Sequence, residues 1–348
     1  MKTLLLGTLM ALLATAAPAA TYPPPHEADW TAPDFRFHTG QTMSVRLHYT
    51  TVGAPTGEPV LILHGTGGNG ASMLTPGFAG ELFGPGQPLD ATRCYIILPD
   101  ALGTGQSTRP SEGLHAKFPA YNYADMVLAQ YRLVTEGLGI KHLRLVMGNS
   151  MGGMQSWNWG VTYPDMMDAL VPMASQPTAM ASRNWMMRRT LTQAIRNDPA
   201  WMGGDYTTQP QGWRNAFVMF NIATIGGSLG YQSLAPTSAA ADALVAARMA
   251  GPMPADANDF LFQWESSRDY DPSAQLGRIK AAVLAINSAD DERNPPESGL
   301  TAAAIAKIPG ARLYLIPASA ETRGHGTTGM AKFWSAELAK FLASAPKR

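Results

Sequence analysis

The chain has one cysteine, no basic run and no imbalance of charge. Over 348 residues, 26 Lys and Arg meet 26 Asp and Glu, and only 15% of positions are charged. The electrostatic footprint of a nucleic-acid binder is therefore missing. The lone Cys94 excludes an intramolecular disulfide and a cysteine-based zinc cluster. There is no His-Glu-x-x-His pair either, so neither a metal nor another cofactor is expected. What the chain does have is 45% hydrophobic residues, enough for a sizeable core, with 34 Gly and 27 Pro scattered among them.

Residues 1–19 read as a secretory signal. Lys2 supplies the positive start, residues 4–13 an apolar stretch, and Ala17-Pro18-Ala19 a small-x-small cleavage site. A membrane anchor is the competing reading, but the apolar run is too short to span about 30 Å of hydrocarbon. A periplasmic or secreted protein with no membrane span after cleavage is expected. One thiol fits that location, because it cannot mispair internally in an oxidising compartment. Cys94 itself opens Cys94-Tyr95-Ile96-Ile97-Leu98, a buried-strand pattern.

Residues 22–33 are proline-rich and read as an arm over the surface. Residues 35–38 and 43–51 flank Thr39-Gly40-Gln41 as a β-hairpin. Short apolar runs follow at 60–63, 95–98, 143–147, 169–173, 281–286 and 313–316. Such runs suit strands covered on both faces. Helical patterns separate most of them, clearest at 123–138, and a last helix is expected at 330–342. The alternation predicts a mostly parallel, doubly wound sheet. Residues 176–271 interrupt it with helical, Pro/Gly-broken sequence, read as an inserted cap. The sheet domain then comprises residues 20–175 and 272–348.

Gly-x-Ser-x-Gly occurs at Gly148-Asn149-Ser150-Met151-Gly152 and again at Gly226-Gly227-Ser228-Leu229-Gly230. The pattern serves a strained strand-to-helix turn that lifts a serine hydroxyl above a sheet. Only Ser150 lies between a strand pattern and a helix pattern, the latter at 151–163. Ser228 follows a helix-like stretch and runs into residues 231–236, read as unable to form a good helix, so it reads as a cap turn.

A serine hydroxyl needs a base, and the base an orienting acid, here in the chain order Ser, Asp, His. Of seven histidines only His325 comes late enough, between Gly324 and Gly326. The acid is expected after the 281–286 strand, at Asp290-Asp291-Glu292. Asp291 is preferred and Asp290 is the alternative, with the remaining carboxylates read as a solvated cluster. The oxyanion donors are expected to be the Met151 N–H and, in His64-Gly65-Thr66-Gly67-Gly68-Asn69-Gly70, the Thr66 N–H. The same loop spells Gly-x-Gly-x-x-Gly, but four glycines with one Asn and one Thr make a poor start for the helix that dinucleotide binding requires.

Read together, these pieces resemble the α/β-hydrolase superfamily over nearly the whole mature length. One branch is closer. Asp125-Met126-Val127-Leu128-Ala129-Gln130, the Ser150 motif continued to Gln155, Tyr163-Pro164-Asp165 and residues 193–206 resemble homoserine O-acetyltransferases. That resemblance implies an aspartate four residues before a proline, which favours Asp291 before Pro295. Two departures stand against the family's substrate sites: Gly326-Thr327-Thr328 follow His325, and Thr192 stands where an arginine is common.

The resulting expectation is an exported serine hydrolase of a small acyl ester, uncharged or weakly charged, with an O-acyltransferase as the alternative and an inactive binding protein as a remote one. A homodimer stays open. Trp185, Met186, Met187, Trp201, Met202, Trp213, Met219 and Phe220 are read either as an apolar acyl pocket or as the cap's own core.

Overall fold

The computed structural model describes residues 22–348; the expected signal lies outside the described residues. One eight-stranded sheet organises the chain. Its strands are β1 (His26–Arg36), β2 (Thr42–Val52), β3 (Glu58–Leu63), β4 (Cys94–Pro99), β5 (Leu143–Asn149), β6 (Met167–Met173), β7 (Ala282–Ser288) and β8 (Arg312–Ile316). Their spatial order is β1-β2-β4-β3-β5-β6-β7-β8. The β1–β2 hairpin and its junction with β4 are antiparallel, and every other pairing is parallel. The six apolar runs coincide with β3 to β8, and the mostly parallel, doubly wound sheet is as expected.

Period-2 alternation explains why those runs are apolar throughout. Val60, Ile62, Ile96 and Leu98 face one core, while Leu61, Leu63, Tyr95 and Ile97 face another. Helices cover both faces. α1 (Ala79–Leu82) precedes β4, α2 (Tyr123–Arg132) precedes β5, and α3 (Met151–Thr162) joins β5 to β6. Five helices lie between β6 and β7: α4 (Ser182–Arg196), α5 (Arg214–Thr224), α6 (Ser228–Leu234), α7 (Ser238–Ala250) and α8 (Ala257–Glu265). Of these, α4, α5 and α8 share a separate core of Leu191, Ile195, Trp213, Phe220, Phe260 and Trp264. α9 (Leu300–Ile305) joins β7 to β8, and α10 (Ser335–Ser344) ends the chain.

Four local expectations need correction. The proline-rich arm is mostly strand: β1 begins at His26, and Pro33 falls where the pairing register shifts between Ala32 and Phe35. An edge strand tolerates a proline at such a bulge, because no ladder N–H is lost there. The helix expected over 123–138 ends at Arg132 and continues as a wider π turn, Leu133–Gly137. There Trp30 sits so close that a Cβ on Gly137 would stand 2.8 Å from its ring. The last helix starts five residues late, because Met330 (φ −107°, ψ 91°) and Trp334 (φ −145°, ψ −6°) are non-helical and only a 3₁₀ turn, Ala331–Phe333, lies between them. Ser228, finally, is the first residue of helix α6, which runs on to Leu234.

The sheet order reverses at β3, whose neighbours are β4 on one side and β5 on the other. A crevice opens at the carboxyl ends of strands at such a switch point. The β3 loop and the β5–α3 turn both lie there. Ser150 makes that turn with φ +58° and ψ −110°, in a region a non-glycine residue rarely adopts. Glycines permit it by close approach. A Cβ on Gly148 would lie 2.3 Å from the backbone of Gly152, one on Gly152 2.1 Å from Leu63 O, and one on Gly153 2.3 Å from Met173 O. Gly152→Ala must therefore push α3 off β3. It is expected to cost about 1–3 kcal/mol, read as a lower urea midpoint at unchanged m-value.

Candidate active site

Ser150 and His325, 175 residues apart in the chain, meet over the sheet. The Ser150 hydroxyl lies 2.7 Å from His325 Nε2, and His325 Nδ1 lies 3.0 Å from both carboxylate oxygens of Asp291. With Nδ1–H donating to Asp291, Nε2 is left to accept from the serine. All three side chains are buried, Asp291 completely.

Asp291 is held by its own neighbours. Oδ1 accepts the amides of Arg293 at 2.9 Å and Asn294 at 3.2 Å, and Oδ2 accepts the Asn294 side-chain amide at 3.0 Å. Asn294 is fixed in turn by donating to Ala174 O. Burial pushes the Asp291 carboxyl up, but His325, Asn294 and the Arg293 amide outweigh it and hold it below the ordinary range. Burial pulls His325 down; Asp291 opposes this, while the charges of Arg293 and Arg188 reinforce it, and the ring stays below the ordinary histidine value.

Asp290, the sequence alternative, faces a different task. Oδ2 accepts the Thr322 hydroxyl at 2.7 Å and Gly324 N–H at 3.2 Å, and Oδ1 accepts the Ser288 hydroxyl. It fastens the backbone of the loop that carries His325. Of the three consecutive acids only Glu292 sits in an exposed ion pair, with Arg183, so the solvated-cluster reading fails for Asp290. The second Gly-x-Ser-x-Gly serves the same loop. Ile225 bridges to Gly324, Gly226 N–H donates to Arg323 O, and His325 N–H to Thr224 O. A Cβ on Gly227 would stand 2.2 Å from Asp290 Oδ2, so glycine is what lets the cap dock here. Ser228 points away, exposed.

The β3 loop lies over Ser150: a Cβ on Gly65 would be 3.5 Å from Ser150 Cβ. Among the described residues neither the Thr66 N–H nor the Met151 N–H donates to another group. Both amides are thus available to a developing oxyanion. His64, set aside in the sequence, shapes this loop. It is fully buried, Nδ1 bonds Gly65 O at 2.8 Å, and Nε2 accepts Ala101 N–H at 3.0 Å. Burial keeps its ring neutral, as accepting at Nε2 requires. Asp100 accepts Gly70 N–H at 2.7 Å and so ties down the end of the loop. From the cap, Gln263 Oε1 accepts Gly67 N–H at 3.0 Å. Asn294, Gln263 and Thr328, whose hydroxyl bonds Asn149 beside Ser150, carried no signal in the sequence; only the fold brings them here.

The eight apolar cap residues do not gather into one pocket. Trp213 and Phe220 are buried in the cap core, with Met187 and Trp201 packed against it. Met186, Met202 and Met219 are exposed on the outside. Cys94 is buried in β4, where burial raises its thiol to about 11, far from nucleophilic duty. Among the described residues no cluster of three His, Cys, Asp or Glu groups is placed to hold a metal, and no helix is long and apolar enough to cross a membrane. A 430 Å³ cleft borders the β3 loop, lined by Gly67, Asn69, Ser72, Asp259 and Gln263 among others.

Sheet order, strained turn and buried Ser–His–Asp line describe one fold family. Residues 58–321 match the alpha/beta hydrolase fold family, and the chain belongs to it. Within it, the resemblance to homoserine O-acetyltransferases holds. That of Thermobifida fusca (strain YX) is 34% identical over 188 residues, 49% of this chain and 49% of that protein. The chain thus spans about half the length of the curated relatives it matches. Among solved structures, an acetylester hydrolase from Corynebacterium glutamicum aligns with TM-score 0.78 and 23% identity, over 92% of this chain and 96% of the other. A homoserine O-acetyltransferase from Bacillus anthracis aligns with TM-score 0.79 and 21% identity, over 93% and 99%. At these identities the likeness is one of fold.

Removing the loop fastener should be felt in stability. Asp290→Ala leaves the Thr322 hydroxyl and Gly324 N–H without their acceptor, at a cost of about 1–3 kcal/mol. Hydrogen exchange at Gly324 and His325 should accelerate in that variant, while Glu292→Ala should leave both the exchange and the urea midpoint unchanged.

Proposed function

We propose that the chain is an exported serine hydrolase that cleaves a carboxylic ester through an acyl-Ser150 intermediate. The observation that carries this reading is the hydrogen-bonded line from Ser150 Oγ through His325 to Asp291. Ser150 Oγ attacks the ester carbonyl carbon as its proton passes to His325 Nε2. The buried Asp291 carboxylate stabilises the imidazolium and fixes its tautomer. The carbonyl oxygen, now anionic, accepts from the Thr66 and Met151 amides. Collapse breaks the ester C–O bond, and the departing alkoxide takes the proton from His325. Water then gives its proton to His325, attacks the acyl-serine, and the carboxylic acid leaves as Ser150 recovers its proton.

What attacks the acyl-serine separates the two readings. Identity to homoserine O-acetyltransferases favours an alcohol acceptor and an O-acyltransferase. Export favours water, because acetyl-CoA is a cytoplasmic metabolite. Thr192 also supports water: it stands where the transferases commonly have an arginine and is buried, its hydroxyl bonded to Arg189 O.

The test is a substrate panel on mature protein with water and alcohol acceptors both present. Short p-nitrophenyl esters should be hydrolysed and a fluorophosphonate should label the protein. Ser150→Ala should abolish labelling and lower kcat by about 10⁶-fold. Labelling that survives in Ser150→Ala removes Ser150 as nucleophile, and O-acetylhomoserine forming faster than acetate from acetyl-CoA and homoserine overturns the hydrolase reading. Because burial holds His325 below 6.5, its ring stays neutral and competent as a base to lower pH. The acid limb of kcat/KM should accordingly fall below pH 6.5. Asp291→Asn should cost about 10⁴-fold in kcat by losing the tautomer control, whereas Asp290→Asn should retain most of the rate.

A further inference from the structure

Two arginines are buried beside this site without a carboxylate of their own. Arg188, on α4, is 1% exposed, and Arg293, two residues after Asp291, is 7% exposed. Arg188 donates only to neutral oxygens, Asn184 Oδ1 at 2.9 Å and Ser267 Oγ at 3.1 Å. Arg293 donates from its side chain to the Thr224 hydroxyl at 3.1 Å. Aromatic faces pack the rest: Arg188 lies 4.8 Å from the Trp264 ring centre, and Arg293 4.3 Å from that of Phe220. The third buried arginine shows the contrast. Arg144 has Asp168 at 3.4 Å and three carbonyl acceptors at the chain's end. The carboxylate nearest Arg293, Asp291, is engaged by His325 and Asn294.

Further donors are left idle around the pair. The Tyr123 hydroxyl is buried, makes no hydrogen bond and faces Arg188, Ser267 and Thr66. The Thr66 hydroxyl and the Trp264 indole N–H are likewise buried and unpartnered. Each such group carries a desolvation cost that an incoming acceptor would relieve. The charges also reach the reacting groups, since both guanidinia depress His325, and burial followed by the charge of Arg188 lowers Arg293 to about 9. A cluster of buried donors whose two guanidinia meet only neutral acceptors is the complement of an anion.

We infer that Arg188 and Arg293, with the Tyr123 hydroxyl, receive a carboxylate carried by the ester substrate, so that the preferred ester is anionic. The inference rests on the ester-hydrolase reading of Ser150 and replaces the expectation of an uncharged ester. A planar guanidinium fork matches a carboxylate, and the water-poor site strengthens the contact. The carboxylate belongs either to the acyl half, as in the half-ester of a dicarboxylic acid, or to the alcohol half, as in the acyl ester of a hydroxy acid.

Two measurements test this. In the first, kcat/KM is compared for mono-p-nitrophenyl succinate against p-nitrophenyl butyrate, and for 4-acetoxybutyrate against its methyl ester. Wild type should prefer the anionic member of at least one pair, and which pair identifies the half that carries the charge. Arg188→Met and Arg293→Met, which keep the apolar packing, should each lower that preference about tenfold, as expected for losing a hydrogen bond to a charged group, and Arg188→Lys should restore part of it. In the second, succinate and 4-hydroxybutyrate are titrated calorimetrically into Ser150→Ala protein, where chemistry plays no part. At least one should bind, about tenfold more weakly when Arg188→Met is added. A wild type that favours neither anionic ester, or a preference that survives both arginine substitutions, overturns the inference even if a variant fails to fold. Failure of the nucleophile reading would show separately, as labelling that persists in Ser150→Ala.

Discussion

A serine backbone held at φ +58° between β5 and α3 is the constraint on which the rest of the site depends. Such a conformation costs of order 1–3 kcal/mol and persists only where its surroundings over-determine it. Here they do so through contact at backbone level. Gly148, Gly152 and Gly153 let α3 settle against β3 and β6 at distances no side chain would permit. The same approach sets the first residue of α3 directly beside the serine, leaving the Met151 amide free, and brings the β3 loop within reach. Hydroxyl, oxyanion donors and crevice therefore follow from one packing decision.

The histidine depends on longer-range support. Its loop is fastened from β7 by Asp290, from the cap by Thr224 and Gly226, and from the Ser150 strand by Thr328 and Asn149. Gln263 makes a parallel tie from α8 to the β3 loop. The cap thus braces both loops that flank Ser150.

What could be read from the chain alone follows from period and spacing. Six apolar runs became β3 to β8; in β3 to β7 a strand buried on both faces has few polar positions to confuse the pattern, whereas the edge strand β8 leaves Leu313 and Leu315 exposed. Ser150 and His325 were legible because glycine spacing and chain order are local facts. The preference for Asp291 over Asp290 rested on its spacing before Pro295 alone, since adjacent carboxylates differ otherwise only in where a turn aims them. β1 was hidden by Pro33, which an edge bulge accommodates, and α6 by a proline just beyond its end. Arg188 and Arg293 were invisible as a pair: one sits on a helix of the cap, the other after β7, and a balanced total charge concealed that two positive groups are buried together.

The central claim is that an acyl group passes through the Ser150 oxygen. Rapid quenching of the protein with p-nitrophenyl acetate, followed by peptide mass spectrometry, reads that step directly. An acetyl adduct on the peptide containing Ser150, appearing with the p-nitrophenol burst and decaying at the turnover rate, is the expected result. Turnover with no adduct during the burst, or an adduct on another residue that forms and decays at catalytic rates, would contradict it.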